Sequence, residues 1–145
     1  MKSNLLGFWD TSALVPLCVR QEASQDFRKL WQKSSRVVVW WGATVEIRSA
    51  LSRLHRGNFI DAQGLQFAQA RLEAMRQQWR ELTPSEKLRD IAETLPDSYG
   101  LTSLDSFQLA AALVWCKEKP KGRIFICDDL RLNEAARKAG FTIKP

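Results

Sequence analysis

Apolar residues fall along this chain in short runs that alternate with helical stripes. Leu5 to Trp9 is a continuous apolar run of the length of a buried strand. A helix is predicted from about Ser12, with Pro16 tolerated only near its first turn. Glu22 to Trp31 places Phe27, Leu30 and Trp31 on one helical face. Val37-Val38-Val39-Trp40-Trp41 is β-branched and aromatic, hence a strand, and Gly42 breaks it. Thr44 to Arg56 carries Ile47, Ala50, Leu51 and Leu54 at the i, i+3, i+4, i+7 spacing of a helix, which Gly57-Asn58 ends. Asp61 to Arg80 repeats the stripe with Leu65, Ala68, Leu72, Met75 and Trp79, so these two helices form a hairpin. Trp79 to Leu82 also has the composition of a short strand entry.

Thr83-Pro84-Ser85-Glu86 places a cap and a proline at the start of a further helix, running to about Leu95. Pro96 to Gly100 reads as a loop. Leu104 to Lys117 is apolar on nearly every side, which predicts a buried helix. Arg123 to Cys127 is a strand, Leu130 to Ala139 a helix stopped by Gly140, and Phe141 to Ile143 a last strand. Strands alternating with helices predict an α/β architecture, with a central, mostly parallel sheet flanked by helices and a protruding helical hairpin. At 145 residues, 1–145 is expected to be one domain, large enough to bury a core without disulfides.

Composition narrows the function. The chain is 45% hydrophobic and 26% charged, which excludes a disordered segment. A net charge of +6 favours an anionic partner such as nucleic acid or an acidic polypeptide, although small basic proteins often bind neither. Cys18, Cys116 and Cys127 offer no disulfide framework and no zinc spacing, which suits a reducing cytosol. The start of the chain lacks the pattern of a secretory signal, and no run is long enough to span a bilayer. A cytoplasmic location and no membrane partner are therefore expected. No glycine-rich phosphate loop is present, and the one histidine, His55, has no nucleophile placed beside it.

Four acids stand at or near helix starts: Asp10, Glu46, Asp105 and Asp129. Two directly follow a strand, and in a parallel sheet such points converge at the edge where ligands bind. Each has a plain structural explanation, because carboxylates cap helices and favour the positive end of the helix dipole. As a set they are harder to dismiss. Glu46 borders an apolar stripe and Asp105 heads an almost wholly apolar helix, where a lone charge is costly. Four carboxylates sharing one pocket repel one another unless a divalent cation joins them. An all-oxygen set suits Mg²⁺ or Mn²⁺, and a basic surface around it suits a phosphodiester.

These residues carry a family resemblance over nearly the whole chain. Asp10-Thr11-Ser12-Ala13-Leu14, Glu46 with Ser49-Ala50-Leu51, Leu104-Asp105 with Leu109-Ala110-Ala111-Ala112, and Asp129 with Leu132, Ala135-Ala136 and Gly140 occur in order. In this the chain resembles PIN-domain ribonucleases, most closely the VapC-type toxins of toxin–antitoxin systems. The resemblance implies a PIN-like fold and a metal-dependent endoribonuclease. Asp10, Glu46, Asp105 and Asp129 would be both the catalytic residues and the ligands of one or two Mg²⁺ or Mn²⁺ ions. It further implies water attack on RNA phosphorus leaving 5′-phosphate and 3′-hydroxyl ends, support from Thr11 or Ser12, a homodimer, and a cognate antitoxin that blocks the cleft.

The chain departs from the family pattern at three places. Thr102 stands where Arg is common, Gln108 where His is common, and Cys127 where a hydroxyl residue is usual. Cys127 could not donate the usual hydroxyl hydrogen bond. The spacing to Leu132 and Ala135 favours Asp129 over Asp128 as the fourth ligand. Trp40 and Trp41 alternate faces of one strand, which leaves two readings: packing in the core or a dimer, or one ring exposed to a partner or stacked on a base. Arg48, Arg53, Arg56, Arg71, Arg76 and Arg80 either track RNA phosphates or form a solvated face. Two rivals remain at this point: a PIN-like module that binds RNA or protein without cutting, and a metal-dependent nuclease of structured DNA.

Overall fold

The computed structural model describes residues 4–145. Five strands form one sheet: β1 (Leu5–Trp9), β2 (Ser34–Trp40), β3 (Trp79–Leu82), β4 (Ile124–Ile126) and β5 (Thr142–Lys144). Their order is β3-β2-β1-β4-β5, and every pairing is parallel. The expectation of a mostly parallel sheet therefore becomes an all-parallel one. Each parallel return needs a crossover, which the helices supply.

Alternation along the strands divides the core in two. Trp9, Val37, Val39 and Ile126 face one side, where they pack with α1 (Thr11–Cys18), α2 (Ser24–Lys33), α3 (Ala43–Arg56) and α4 (Ala62–Arg76). Phe8, Val38, Trp40 and Phe125 face the other side, against α5 (Glu86–Tyr99), α6 (Ser103–Trp115) and α7 (Leu130–Ala139). Burial on both faces explains why β1 and β2 read as unbroken apolar runs rather than alternating ones. α3 and α4 form the expected hairpin, with Ile47, Leu51, Ala68, Leu72 and Met75 buried and Phe59 and Phe67 exposed toward its tip.

Three expectations need correction. The helix expected over Asp61–Arg80 ends at Arg76, and Trp79–Leu82 is a full edge strand paired with Val37–Trp40. Backbone pairing to the sheet overrides a helical stripe that Trp79 happens to continue. The helix expected to stop at Leu95 runs through Pro96 to Tyr99, so 96–99 is not a loop. Proline's fixed φ is helical, so α5 forgoes one hydrogen bond and continues until Gly100, at φ 67°, accepts the left-handed turn and bonds back to Pro96 O. Pro16 likewise lies beyond the first turn of α1, not within it. α1 still reaches Cys18, held by its buried face of Ala13, Leu14 and Leu17.

Of the tryptophan pair, Trp40 is buried and stacks on Phe107, with ring planes parallel and centroids 5.6 Å apart. Trp41 is exposed. Among the described residues, no helix is long and apolar enough to cross a membrane.

Candidate active site

The strand order reverses direction between β1 and β4. From β1 the chain winds outward through β2 to β3, and from β4 it winds the other way to β5. α1 and α7 leave these two central strands toward opposite faces of the sheet. A crevice opens at such a switch point, beyond the carboxyl ends of the strands. Asp10 directly follows β1, and Cys127, Asp128 and Asp129 directly follow β4. Asp10 N donates to Ile126 O at 2.9 Å, so the two strand ends are locked together just below the crevice.

A cavity of about 390 Å³ occupies this position. Asp10, Glu46, Asp105 and Asp129 all line it, with Thr11, Ser12, Ser49 and Arg53 among their neighbours. Asp10 comes from the start of α1, Glu46 from the first turn of α3, Asp105 from the first turn of α6 and Asp129 from the start of α7. Asp128, the alternative to Asp129, is exposed and does not line the cavity. Its backbone N–H instead donates to Ser12 Oγ at 2.8 Å.

Capping and convergence are both realised. Asp10 Oδ2 accepts from Ser12 N at 3.0 Å and from Ser12 Oγ at 2.6 Å. Asp129 Oδ1 accepts from Leu132 N at 2.9 Å. Asp105 is not itself a cap; Thr102 Oγ1 accepts from Asp105 N at 3.3 Å. The cap hydrogen bonds fix the carboxylates of Asp10 and Asp129, and the topology brings all four acids to one cavity.

Their electrostatics record the crowding. Burial, and then the charge of Asp10, pushes Glu46 up to about 7. Burial, and then repulsion from Asp10 and Asp129, pushes Asp105 up to about 6. Asp10 is 4% exposed, and burial raises its pKa against the opposing effect of its Ser12 and Cys127 hydrogen bonds. Arg131 partly offsets the charge at Asp105.

Two departures from the family pattern take up structural roles here. Cys127 Sγ lies 3.5 Å from Asp10 Oδ2 and 3.4 Å from Ser12 Oγ, and it accepts from Asp129 N at 3.3 Å. The thiol thus donates weakly to Asp10 in the place of the missing hydroxyl. Burial and the neighbouring Asp10 charge raise its pKa, so it remains a thiol rather than a thiolate nucleophile. Gln108 is fully buried, and its Nε2 donates to Thr11 Oγ1 at 3.0 Å and Glu46 Oε2 at 3.3 Å. The residue types gave notice of both positions, but not of these contacts.

The hairpin arginines separate by their partners. Arg48 and Arg76 both reach Glu73 Oε1, at 2.7 and 3.3 Å. Arg56 donates to Ser52 Oγ and Arg71 to Leu17 O. Arg53 lines the acidic cavity and has no ion pair among the described residues.

The donor set is chemically suited to a hard divalent cation, since every carboxylate is an oxygen donor and their mutual repulsion is what such an ion relieves. The four do not stand as a ready cage. Among the described residues, no group of three or more His, Cys, Asp or Glu side chains is arranged to hold a metal ion.

No protein-family model and no curated protein matches the chain. Solved structures do. The fold is similar to that of VapC20 of Mycobacterium tuberculosis, a sarcin–ricin loop cleaving toxin, with a TM-score of 0.69 and 19% identity over 97% of this chain and 100% of that one. It is also similar to PAE2754 from Pyrobaculum aerophilum, with a TM-score of 0.63 and 18% identity over 96% of this chain and 89% of that one. The protein therefore has the PIN-type α/β fold of the VapC proteins.

Proposed function

We propose that the protein is a metal-dependent endoribonuclease acting as the toxin of a toxin–antitoxin pair. The observation that carries this reading is the convergence of Asp10, Glu46, Asp105 and Asp129 on one cavity at the switch point of the sheet. A protein that only bound RNA would have no use for four mutually repelling carboxylates facing a polyanion. Asp10, Glu46, Asp105 and Asp129 would hold one or two Mg²⁺ or Mn²⁺ ions, which when bound supply positive charge to the phosphate and acidify a water.

The chain's own groups account for the rest. Ser12 and Cys127 hold Asp10 in one orientation. Leu132 N does the same for Asp129. Arg53 reaches the cavity from the hairpin and Arg131 acts on Asp105 from α7, so cations flank the acids where a substrate's phosphates would pass. Val45, Leu104 and Leu130 are exposed apolar side chains on the three elements that also carry Glu46, Asp105 and Asp129. Val45 and Leu104 also line the cavity, and such exposed apolar side chains suit bases splayed from a loop rather than a regular duplex.

Fold likeness to a sarcin–ricin loop cleaving toxin makes ribosomal RNA the first substrate to try. An antitoxin that covers the cleft, a homodimer and a cytoplasmic location complete the proposal. The test is incubation of purified protein with total cellular RNA and Mn²⁺ or Mg²⁺, beside chelator and beside Asp10→Asn. Discrete products that need both the cation and Asp10 support the nuclease. Folded protein that binds RNA without cutting it would point instead to a binding module, and cleavage confined to structured DNA would replace the substrate.

A further inference from the structure

Gln108 sits on α6 one turn beyond Asp105, in a helix whose neighbouring buried positions are Leu109, Ala110, Ala111 and Ala112. A long amide at such a place is unfavourable unless its polar atoms are bonded. Its Nε2 meets Thr11 Oγ1 at 3.0 Å and Glu46 Oε2 at 3.3 Å. Only the nitrogen end can face a carboxylate, because the amide oxygen would meet it lone pair to lone pair. Its Oε1 is buried with no donor among the described residues. Packing alone would favour an aliphatic residue here, so the unmatched oxygen marks a position shaped by something other than stability.

The geometry of the tie shows its use. Asp105 and Gln108 belong to α6, packed on one face of the sheet, whereas Glu46 and Thr11 belong to α3 and α1 on the other. Among the described residues, the side-chain hydrogen bonds joining α6 to α1 and α3 are those of Gln108. Glu46 has a longer and freer side chain than the three aspartates. Two of those, Asp10 and Asp129, are fixed by their own cap bonds, and Glu46 is not. We infer that Gln108 is a positioning residue that holds the Glu46 carboxylate turned into the cavity, with Thr11 as the second anchor of the same amide. The effect on catalysis rests on the nuclease reading; the tie itself does not.

Three variants test it. Gln108→Leu removes the amide at similar volume, Gln108→His retains a donor, and Glu46→Gln removes the acceptor's charge but keeps its shape. The first readout is the NMR signal of the Gln108 side-chain amide in wild-type protein, without metal or RNA. It is expected to exchange slowly with solvent and to shift in Glu46→Gln and in Thr11→Val. The second readout is Mn²⁺ binding by calorimetry, measured beside steady-state RNA cleavage. Gln108→Leu is expected to lose about 10- to 100-fold in kcat and in Mn²⁺ affinity with KM for RNA unchanged. Gln108→His should recover most of the loss. In the double variant, Gln108→Leu should add no further loss of Mn²⁺ affinity to that of Glu46→Gln.

Wild-type kcat and Mn²⁺ affinity in folded Gln108→Leu would overturn the inference, as would losses that simply multiply. Should Gln108→Leu not fold, the amide signal decides: one that exchanges freely and ignores Glu46→Gln overturns the tie. A wild-type protein that cuts no RNA, yet shows a protected amide sensitive to Glu46→Gln, would remove the nuclease reading and leave the tie standing.

Discussion

Crowded carboxylates should leave a mark on folding stability that needs neither RNA nor metal. In the metal-free protein Glu46 is raised from 4.5 to about 7, by burial first and then by Asp10. Asp105 is raised from 3.8 to about 6, by burial and then by Asp10 and Asp129. An acid with a higher pKa folded than unfolded binds its proton more tightly in the native state. Its contribution to stability is whole below the unfolded value and is lost as pH rises through the folded one. For Glu46 the window runs from 4.5 to about 7. At about 1.36 kcal/mol per pH unit the loss is about 3 kcal/mol, and about 2 kcal/mol once screening of the partly exposed carboxylate is allowed for. Glu46→Gln removes the charge while its carbonyl can still accept from Gln108. Denaturant unfolding in chelator should find this variant about 2 kcal/mol more stable than wild type near pH 8, converging with it near pH 5. Added Mn²⁺ should narrow the gap, because a bound cation stabilises the native wild type. A variant less stable than wild type at the higher pH, or a wild type that gains stability across the window, would refute the account of a strained acidic cluster.

The neighbouring aspartates should separate cleanly: Asp129→Asn is expected to lower turnover by orders of magnitude and Asp128→Asn to leave it nearly intact, since Asp129 lines the cavity and Asp128 does not. Matched single-turnover cleavage assays compare the two. Arg53→Ala should raise KM for RNA several-fold, about 1 kcal/mol for a solvent-facing phosphate contact, and reduce the slope of log affinity against log salt by about one. Binding isotherms at several ionic strengths measure that slope. Cys127→Ser, which restores a stronger donor beside Asp10, should keep activity, whereas Cys127→Val should lower it. Cleavage rates normalised to folded protein check both.

How far the sequence could be read depended on whether the signal was local. Asp10 and Asp129 were legible because each sits at a strand–helix junction, as Glu46 nearly does after β2, and parallel topology sends such junctions to one edge. Asp105 follows helix α5 rather than a strand, and it was legible only as a charge at the head of an almost wholly apolar helix. The end of α4 was not legible, because Trp79 satisfies both a helical stripe and an edge strand, and only the presence of β2 alongside decides between them. Pro96 misled for a related reason. A proline breaks an isolated helix, but α5 is held by Leu88, Ala92 and Leu95 in the core and can give up one bond. Gln108 showed only as an unusual residue. Its partners lie 97 and 62 residues away in the chain, beyond any local pattern. The arginines of the hairpin looked equivalent until Glu73 took two of them.

The site draws its acids from residue 10 to residue 129 of a chain of 145. Its floor is the pairing of β1 with β4, the first strand with the fourth. While the chain emerges from a ribosome, β1 can pair with β2 and α1 to α4 can pack, yet the central strand keeps an open edge. No nascent chain that stops short of Asp129 carries the fourth acid, and none that stops short of β4 closes the crevice. On the proposed function, cleavage would therefore have to wait until β4 and Asp129 have emerged. On the same reading the site is complete only after its most distant contacts form, the slowest kind to close. That interval is when a waiting inhibitor could capture it.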